Sequence, residues 1–169
     1  MDVIVTGGSG FIGQHLVNRL EYDGIKVISL GRKDGDIAKK ETWEKLPPAQ
    51  SVIHLAGRSY VPDSWVYAGD FIETNIVGTQ RALDYCQQSG ATIVYANAYP
   101  YGVPDKLPIT EDASVKPNNP YSISKNMGEQ LCKFSSDFNG ITATVLRLFN
   151  VYGRNQRKEF LIPSVIDQA

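Results

Sequence analysis

The chain has 169 residues, enough for one domain with a core and too few for two domains of ordinary size. Its 17 Lys and Arg residues nearly balance 18 Asp and Glu residues, and the formal net charge of -1 gives no reason to expect a nucleic-acid partner. No apolar run approaches the roughly 18–20 residues that a membrane span needs. No basic segment precedes the first apolar run, so we expect no secretory signal.

Five short apolar runs predict β-strands. None alternates strictly between apolar and polar residues, which is typical of strands covered on both faces, as in a parallel sheet. The runs are Val3–Val5, Lys26–Leu30, Ser51–Leu55, Thr92–Ala96 and Thr142–Leu148.

Helical patterns lie between these runs. One predicted apolar helix face contains Phe11, Ile12, Leu16, Val17 and Leu20, and another contains Ile72, Ile76, Thr79, Leu83 and Cys86. Alternating strands and helices predict an α/β fold with a doubly wound parallel sheet, Rossmann-like in type. Residues 97–120 contain five prolines and predict a long loop at a binding site, because open α/β sheets bind ligands beyond the carboxyl ends of their strands.

A glycine-rich turn, Thr6–Gly13, joins the first predicted strand to a helix. Its glycines permit a tight turn, close approach of a diphosphate and close packing of the helix on the strand. The N–H groups that begin the helix attract phosphate. A purely structural turn is the alternative. The pattern predicts a dinucleotide site formed by Gly7, Gly10, Phe11, Ile12 and Gly13.

The end of the second predicted strand bears on the choice of cofactor. NAD sites usually have an acidic residue there, which binds the ribose hydroxyls. Here Gly31 takes that position and Arg32, which can pair with a 2′-phosphate, follows it. This favours NADP(H) and leaves NAD(H) possible; the alternative is a solvated pair of Arg32 and Lys33. Asp36 and Ile37 would place a carboxylate near the adenine amino group.

Tyr121 and Lys125 are four residues apart, on one face of a predicted helix. A phenol has a pKa near 10, so acid–base work near neutral pH requires a shift of about three units. We expect the Lys125 ammonium and a positive nicotinamide ring to provide that shift, and Lys125 to bind the nicotinamide ribose. An exposed helical pair is the alternative.

Five motifs occur in a fixed order along the chain. They are the glycine-rich turn, Val52–Gly57, Glu73–Thr79 with Asn75, the Tyr121/Lys125 pair, and Leu146–Gly153. Together they resemble the extended short-chain dehydrogenases/reductases, the NAD(P)-dependent epimerase/dehydratase family that includes UDP-galactose 4-epimerase.

The resemblance implies an enzyme that transfers hydride between a nicotinamide and a nucleotide-linked sugar, as an epimerase or a ketoreductase. It implies a homodimer and gives roles to particular residues. Tyr121 would be the acid/base, Leu55, Ala56 and Gly57 would line the cofactor, Asn75 would hold the central helix or relay protons, and Asn150 would bind the substrate diphosphate.

One position departs from the family pattern. Where the family places a catalytic Ser or Thr, this chain has Asn97. An amide can still donate a hydrogen bond, so Asn97 remains a catalytic candidate, and Tyr99 is expected to contact the substrate and to supply a substitute hydroxyl. Dehydration is not expected, because Ala98 and Tyr99 stand where the family's 4,6-dehydratases carry an Asp-Glu pair. The alternative function is a non-catalytic NADP(H)-binding sensor or scaffold.

We expect residues 1–149 to form the dinucleotide-binding domain and 150–169 to begin a substrate-binding region, most of which this chain lacks. Nothing in the pattern of His, Cys and carboxylates predicts a metal site. Cys86 and Cys132 are expected to be buried thiols in a reducing compartment, the cytoplasm. His54 is expected to be a packed core residue.

Overall fold

The computed structural model describes residues 2–168, in which five parallel strands form one sheet in the order β2-β1-β3-β4-β5. The strands are β1 (Asp2–Thr6), β2 (Lys26–Leu30), β3 (Ser51–His54), β4 (Thr92–Ala98) and β5 (Ala143–Leu148). The α-helices are α1 (Phe11–Tyr22), α2 (Lys40–Glu44), α3 (Val61–Val66), α4 (Ala68–Ile72), α5 (Gly78–Ser89), α6 (Pro120–Phe138) and α7 (Leu161–Gln168). A π-helical turn, Glu73–Val77, connects α4 to α5.

The chain winds from β1 to β2 in one direction and through β3, β4 and β5 in the other. With right-handed connections, α1 covers β1 and β2 on one face, while α5 and α6 cover β3, β4 and β5 on the opposite face. The consecutive residues Val3, Ile4 and Val5 are all buried, as expected for a strand covered on both sides. The predicted doubly wound α/β sheet is confirmed.

The prediction of the second apolar helix face is wrong at its first residue, Ile72. Thr79, Leu83 and Cys86 are buried as expected, but Ile72 is 53% exposed and Phe71, at 1%, takes the buried position. The reason is the π-helical turn that follows α4, because its wider turn holds more residues and shifts the helix face by one position.

Other boundaries differ by one or two residues from expectation; β4, for example, extends to Ala98. Residues 99–119 contain neither helix nor strand, as their prolines predicted. The short helix α2, whose Trp43 is buried, was not predicted. Between residues 2 and 168, none of the helices combines the length and the hydropathy required to cross a bilayer.

Candidate active site

The carboxyl ends of all five strands lie along one edge of the sheet, because every neighbouring pair is parallel. The winding direction changes between β1 and β3, and open α/β sheets bind ligands at such a point. The glycine-rich loop, the turn after β3, the long loop after β4 and Asn150 after β5 all follow strand ends at this edge.

The glycine-rich loop packs so closely that side chains are excluded at two positions. Gly7 has a φ of 70°, in the left-handed region, and a Cβ there would lie 2.8 Å from the Ala56 nitrogen. A Cβ on Gly13 would overlap the carbonyl oxygen of Gly7. The Gly10 N–H donates to that carbonyl over 2.8 Å and closes the turn. The loop therefore presents bare backbone at the carboxyl end of β1.

No side chain caps the first turn of α1, which begins with Phe11 and Ile12 after the N-cap residue Gly10. The first N–H groups of a helix have no intrahelical partners and carry partial positive charge. A cofactor diphosphate can accept hydrogen bonds from these N–H groups and balance their partial positive charge. The bare loop and the uncapped helix therefore fit a dinucleotide. The five residues predicted for this role lie together in one turn.

A chain of hydrogen bonds runs behind the loop from β1 through β3 to α5. The Ala56 N–H donates to Thr6 Oγ1 (3.1 Å), which lies 2.8 Å from His54 Nδ1. His54 Nε2 lies 3.3 Å from Thr79 Oγ1, which donates to the Asn75 carbonyl (2.6 Å). Because the Thr79 proton goes to Asn75, its oxygen accepts from Nε2–H, and His54 Nδ1 accepts from Thr6.

Burial lowers the pKa of His54 to about 3, so the ring is neutral, as this hydrogen-bond pattern requires. The expectation of a core histidine is confirmed. Its link between the glycine-rich loop and α5 was not predicted; a histidine within an apolar strand, with Thr6 at the end of the first strand, was the available signal.

Asn75 connects the turn after β3 to α6. Its Oδ1 accepts from the Arg58 N–H (2.8 Å), and its Nδ2 donates to the Arg58 carbonyl (3.1 Å) and to Ser124 Oγ (2.9 Å). The Ser124 hydroxyl donates to the Tyr121 carbonyl (2.7 Å). Asn75 therefore holds the turn after β3 against the first turns of α6, and it does so from a π-helical turn, a distortion frequent at functional sites.

Tyr121 and Lys125 lie in the first two turns of α6 and are both buried. The start of α6 is fixed by a capping box, in which Asn119 accepts from the Ser122 N–H (2.8 Å) and the Ser122 side chain returns to the Asn119 N–H (3.1 Å). The cap sets the position of Tyr121 immediately after the long loop.

Lys125 reaches from α6 towards β4 and the turn after β3. Its Nζ lies 4.2 Å from the centroid of the Tyr95 ring, a cation–π contact with β4. A Cβ on Gly57 would lie 3.9 Å from the same Nζ and 3.0 Å from Asn75 Oδ1. The structure thus brings together Gly57, Asn75 and Lys125, which the sequence had placed at one cofactor site.

Burial dominates the ionisation of the Tyr121/Lys125 pair. It raises the pKa of Tyr121 to about 12, with a further rise from the charge of Tyr99, and it lowers the pKa of Lys125 to about 8. In the chain without a cofactor, burial sets this direction for Tyr121; the expected lowering of its pKa also requires the positive nicotinamide ring and stays a prediction. The protonated phenol is the form that can donate a proton.

Asn97 lies fully buried near the end of β4. Its Nδ2 donates to Glu129 Oε2, and its Oδ1 accepts from the Ala98 N–H (2.7 Å). Both ends of the amide are therefore hydrogen-bonded within the protein. Its partner Glu129 lies about two turns of α6 beyond Tyr121.

Glu129 is in turn held by Arg147, whose guanidinium donates to the carboxylate over 2.5–3.2 Å. Arg147 also donates to the Tyr101 hydroxyl (3.1 Å) and to the Glu111 carbonyl (3.0 Å), which fixes the long loop to β5. Burial raises the pKa of Glu129, but hydrogen bonds from Arg147 and Asn97 outweigh it and the net shift is downward. No sequence motif indicated this partly buried ion pair.

Tyr99 begins the long loop with a φ of 62°, a left-handed conformation that is uncommon for a non-glycine residue. Its side chain is 52% exposed, and repulsion between its phenolate form and that of Tyr121 adds to the raised pKa of Tyr121. Of the two residues predicted to assist Tyr121, Tyr99 is accessible and electrostatically coupled to it. Asn97 is enclosed and bonded elsewhere.

The residues predicted near the adenosine follow β2. Arg32 and Asp36 are exposed, and Asp36 Oδ1 accepts from the Ala38 N–H (2.9 Å). Ile37 is buried, and its side chain packs so close to α5 that a Cβ on Gly78 would lie 2.7 Å from it. Since the Ile37 side chain faces the core, only its backbone remains for a cofactor contact.

Asn150 lies exposed just beyond β5. The chain then returns towards the start of α1: a Cβ on Gly153 would lie 3.5 Å from the Phe11 ring, and His15 Nε2 lies 3.1 Å from the Arg154 carbonyl. The segment predicted to bind substrate diphosphate thus lies beside the helix predicted to bind cofactor diphosphate.

The sequence model of the NAD-dependent epimerase/dehydratase family matches residues 3–169. UDP-glucose 4-epimerase from Azospirillum brasilense is 33% identical over 171 residues, a match that covers 89% of this chain and 49% of that protein. The structure is similar to that of DesIV, a dTDP-glucose 4,6-dehydratase from Streptomyces venezuelae with NAD and TYD bound, with a TM-score of 0.91 and 27% identity over 99% of this chain and 62% of the other.

RMD from Pseudomonas aeruginosa, complexed with NADPH, gives a TM-score of 0.89 at 32% identity, over 99% of this chain and 60% of the other. The chain thus spans about half to three-fifths of the length of these relatives. The family match extends over nearly the whole chain and agrees with the fold and the ordered motifs. The chain belongs to the NAD-dependent epimerase/dehydratase family.

Proposed function

We propose that this chain binds an NAD(P) cofactor for a nucleotide-sugar epimerase or ketoreductase in which Tyr121 is the acid/base. One observation carries the proposal, the close approach of α6 to the cofactor side of the sheet. The Lys125 Nζ lies 3.9 Å from a Cβ built on Gly57, in the turn against which the glycine-rich loop packs. The matched relatives include an epimerase and a dehydratase of nucleotide-linked glucose, which supports the substrate class.

The chain's own residues would bind and orient the cofactor. The glycine-rich loop and the start of α1 would hold the diphosphate, Leu55, Ala56 and Gly57 would line the dinucleotide, and Lys125 would bind the nicotinamide ribose. Asn75 would keep these parts in register through its bonds to Arg58 and Ser124. The bound nicotinamide supplies a hydride acceptor or donor.

Tyr121 would move the proton that accompanies the hydride. Its raised pKa keeps it protonated at neutral pH, ready to donate to the carbonyl oxygen of a keto sugar. Taking a proton from a sugar hydroxyl requires the phenolate, which Lys125, one turn away, would help to stabilise. A ketoreductase uses only the first step, whereas an epimerase uses both in one cycle.

The cofactor is a nicotinamide dinucleotide, with NADP(H) favoured over NAD(H). Exposed Arg32 is free to meet a 2′-phosphate, and Gly31 contributes no carboxylate of its own. Both choices occur among similar structures, since DesIV has NAD bound and RMD has NADPH.

The nucleotide sugar would meet residues that follow β4 and β5. Tyr99 is half-exposed and coupled to Tyr121, which supports a hydroxyl contact with the reacting sugar. Asn150 is exposed at the same edge and would bind the substrate diphosphate.

A non-catalytic sensor or scaffold that binds NADP(H) is the second candidate. The observation that favours it is the burial of Asn97, whose amide bonds to Glu129 and Ala98 where the family places a hydroxyl. In this function cofactor binding persists and the sugar chemistry is absent.

Substitution of Tyr121→Phe separates the two candidates. In an enzyme, this change lowers turnover of a nucleotide sugar by about 10²–10⁴-fold, the usual contribution of a general acid–base. Cofactor affinity should be unchanged, because the phenyl ring is retained. Nucleotide-sugar turnover and cofactor titration are measured on the wild type and the variant, each as a full-length protein that includes the substrate-binding region. Absence of turnover in both, with intact cofactor binding, would support the sensor.

An exposed apolar stripe on α6 supports a homodimer. Its residues, spaced four, seven and four apart on one helix face, are Ile123, Met127, Phe134 and Phe138. A Phe134→Glu variant should have half the mass of the wild type by light scattering. An unchanged mass would contradict a dimer through this face.

Residues 1–149 would form the dinucleotide-binding domain, and residues 150–169 the start of a substrate-binding region.

Cys86 and Cys132 are free and buried, and burial raises the pKa of each thiol to about 12. Unreactive buried thiols are compatible with the proposed cytoplasmic location.

A further inference from the structure

Gly31, at the end of β2, faces the glycine-rich loop at very short range. A Cβ on Gly31 would lie 2.5 Å from Ser9 Oγ and 3.1 Å from Ser9 Cβ. A carboxylate therefore cannot project from position 31 unless Ser9 moves. In dinucleotide sites this is the position from which an acidic side chain normally reaches the adenosine ribose.

The Asp34 side chain places a carboxylate beside Gly31. Its Oδ2 accepts from the Gly31 N–H over 2.7 Å and lies 3.6 Å from the Cβ built on Gly31. The Asp34 N–H donates to the Gly31 carbonyl over 3.0 Å, so the two residues close a reciprocal turn. One carboxylate oxygen is held by the backbone, and the side chain remains exposed to solvent.

We infer that Asp34 limits the preference for NADP(H): its carboxylate acts in place of an acid at the strand end and opposes Arg32 in the recognition of the 2′-phosphate. A carboxylate accepts hydrogen bonds from the 2′- and 3′-hydroxyls of NAD and repels the phosphate of NADP. The inference deepens the proposed function and rests on it, because it requires a nicotinamide dinucleotide in this site. The NADP(H) preference that Gly31 and Arg32 create is thus limited by Asp34.

The test is the substitution Asp34→Asn, which removes the charge and keeps an amide oxygen that can accept from the Gly31 N–H. Dissociation constants for NAD⁺ and NADP⁺ are measured by calorimetry on the chain, at one fixed ionic strength. The ratio Kd(NADP⁺)/Kd(NAD⁺) should fall about tenfold or more, with NAD⁺ bound more weakly and NADP⁺ more tightly.

The matched control is Glu21→Gln. It removes one exposed carboxylate from the far end of α1, about 15 Å along the helix from Phe11, and should leave the ratio unchanged. Asp34→Ser, which also keeps an acceptor for Gly31, is held to the same criterion in case the Asn variant does not fold.

A ratio within twofold of the wild type in a folded Asp34 variant would overturn the inference, since a residue that only stabilises the turn leaves cofactor discrimination unchanged. If neither cofactor binds the folded wild-type chain, the proposed function fails first, and the inference with it. The two failures are thereby distinguished.

Discussion

The proposed cofactor side of the site, formed by the glycine-rich loop and the turn after β3, and the proposed substrate side, formed by the ends of β4 and β5 with the long loop, are built in different ways. On the cofactor side, the positions of Gly7 and Gly13 follow from local backbone requirements, because no side chain fits there. On the substrate side, Asn97 is placed by a partner 32 residues away, Glu129, which is itself held by Arg147. The first kind of site can be read from a short motif, whereas the second depends on pairings that only the folded chain reveals.

The largest effect is expected from breaking the cofactor side. Gly13→Ala places a Cβ in the space of the Gly7 carbonyl and 2.7 Å from Gly8 Cα, so the loop must move. We expect cofactor affinity, measured by calorimetry, to fall by about 100-fold or more, roughly 3 kcal/mol of binding free energy. Gly69→Ala is the control, because no atom lies within 4 Å of a Cβ there. Equal affinity in both variants would show that the loop does not cradle the cofactor.

The next effect is expected from breaking the substrate side. Glu129→Gln leaves the largely buried Arg147 without its counter-ion and should lower the free energy of unfolding by about 2–3 kcal/mol, measured by urea denaturation. Cofactor affinity should hardly change. Asp105→Asn, which breaks the exposed pair with Lys116, should cost less than about 1 kcal/mol.

The Glu129–Arg147 ion pair also makes the free energy of unfolding depend on pH. The pKa of Glu129 is lowered in the folded chain, so its stabilising contribution is present above the ordinary Glu pKa of about 4.3 and is lost as the pH falls through the lower folded value. The difference in stability between wild type and Glu129→Gln should therefore shrink in acid. A difference that stays constant down to pH 3 would contradict the assigned ion pair.

His54, which links β1 to α5 through Thr6 and Thr79, gives an intermediate effect. Its folded pKa of about 3 lies below the ordinary value of about 6.5, so the unfolded chain takes up a proton first and stability is lost as the pH falls below 6.5. Between pH 8 and pH 5 this loss amounts to about 2 kcal/mol. His54→Gln should lack that component in urea titrations at both pH values. Identical pH dependence in the two proteins would contradict a neutral, buried His54.

The smallest effect is expected at the exposed edge of the cofactor side. Arg32→Gln should weaken NADP⁺ binding by about tenfold, equivalent to about 1.4 kcal/mol, and leave NAD⁺ almost unaffected. Lys33→Gln serves as the neighbouring control and should change both cofactors little. Equal losses in the two variants would indicate a solvated basic surface and no specific phosphate contact.

The sequence predicted the features that short segments determine by themselves. Continuous apolar runs identified the five parallel strands, although the edge strands β2 and β5 are only partly buried and not, as expected, covered on both faces. The spacing of Gly7, Gly10 and Gly13 identified the loop. The prediction failed at Ile72, because a π-helical turn cannot be read from apolar periodicity. The raised pKa of Tyr121 in the chain without a cofactor was not anticipated, because burial depends on the whole fold. The pairing of Asp34 with Gly31 was also missed, since a turn closed by a side chain is not apparent from composition.

The most direct test of the account is the position of the nicotinamide ring relative to Tyr121. With the cofactor bound to the folded chain, nuclear Overhauser effects should connect the nicotinamide protons to the Tyr121 ring, and amide shifts should cluster at residues 7–13 and 55–57. A bound cofactor whose nicotinamide protons contact other side chains and not Tyr121 would contradict the account, as would a folded chain that binds neither NAD⁺ nor NADP⁺.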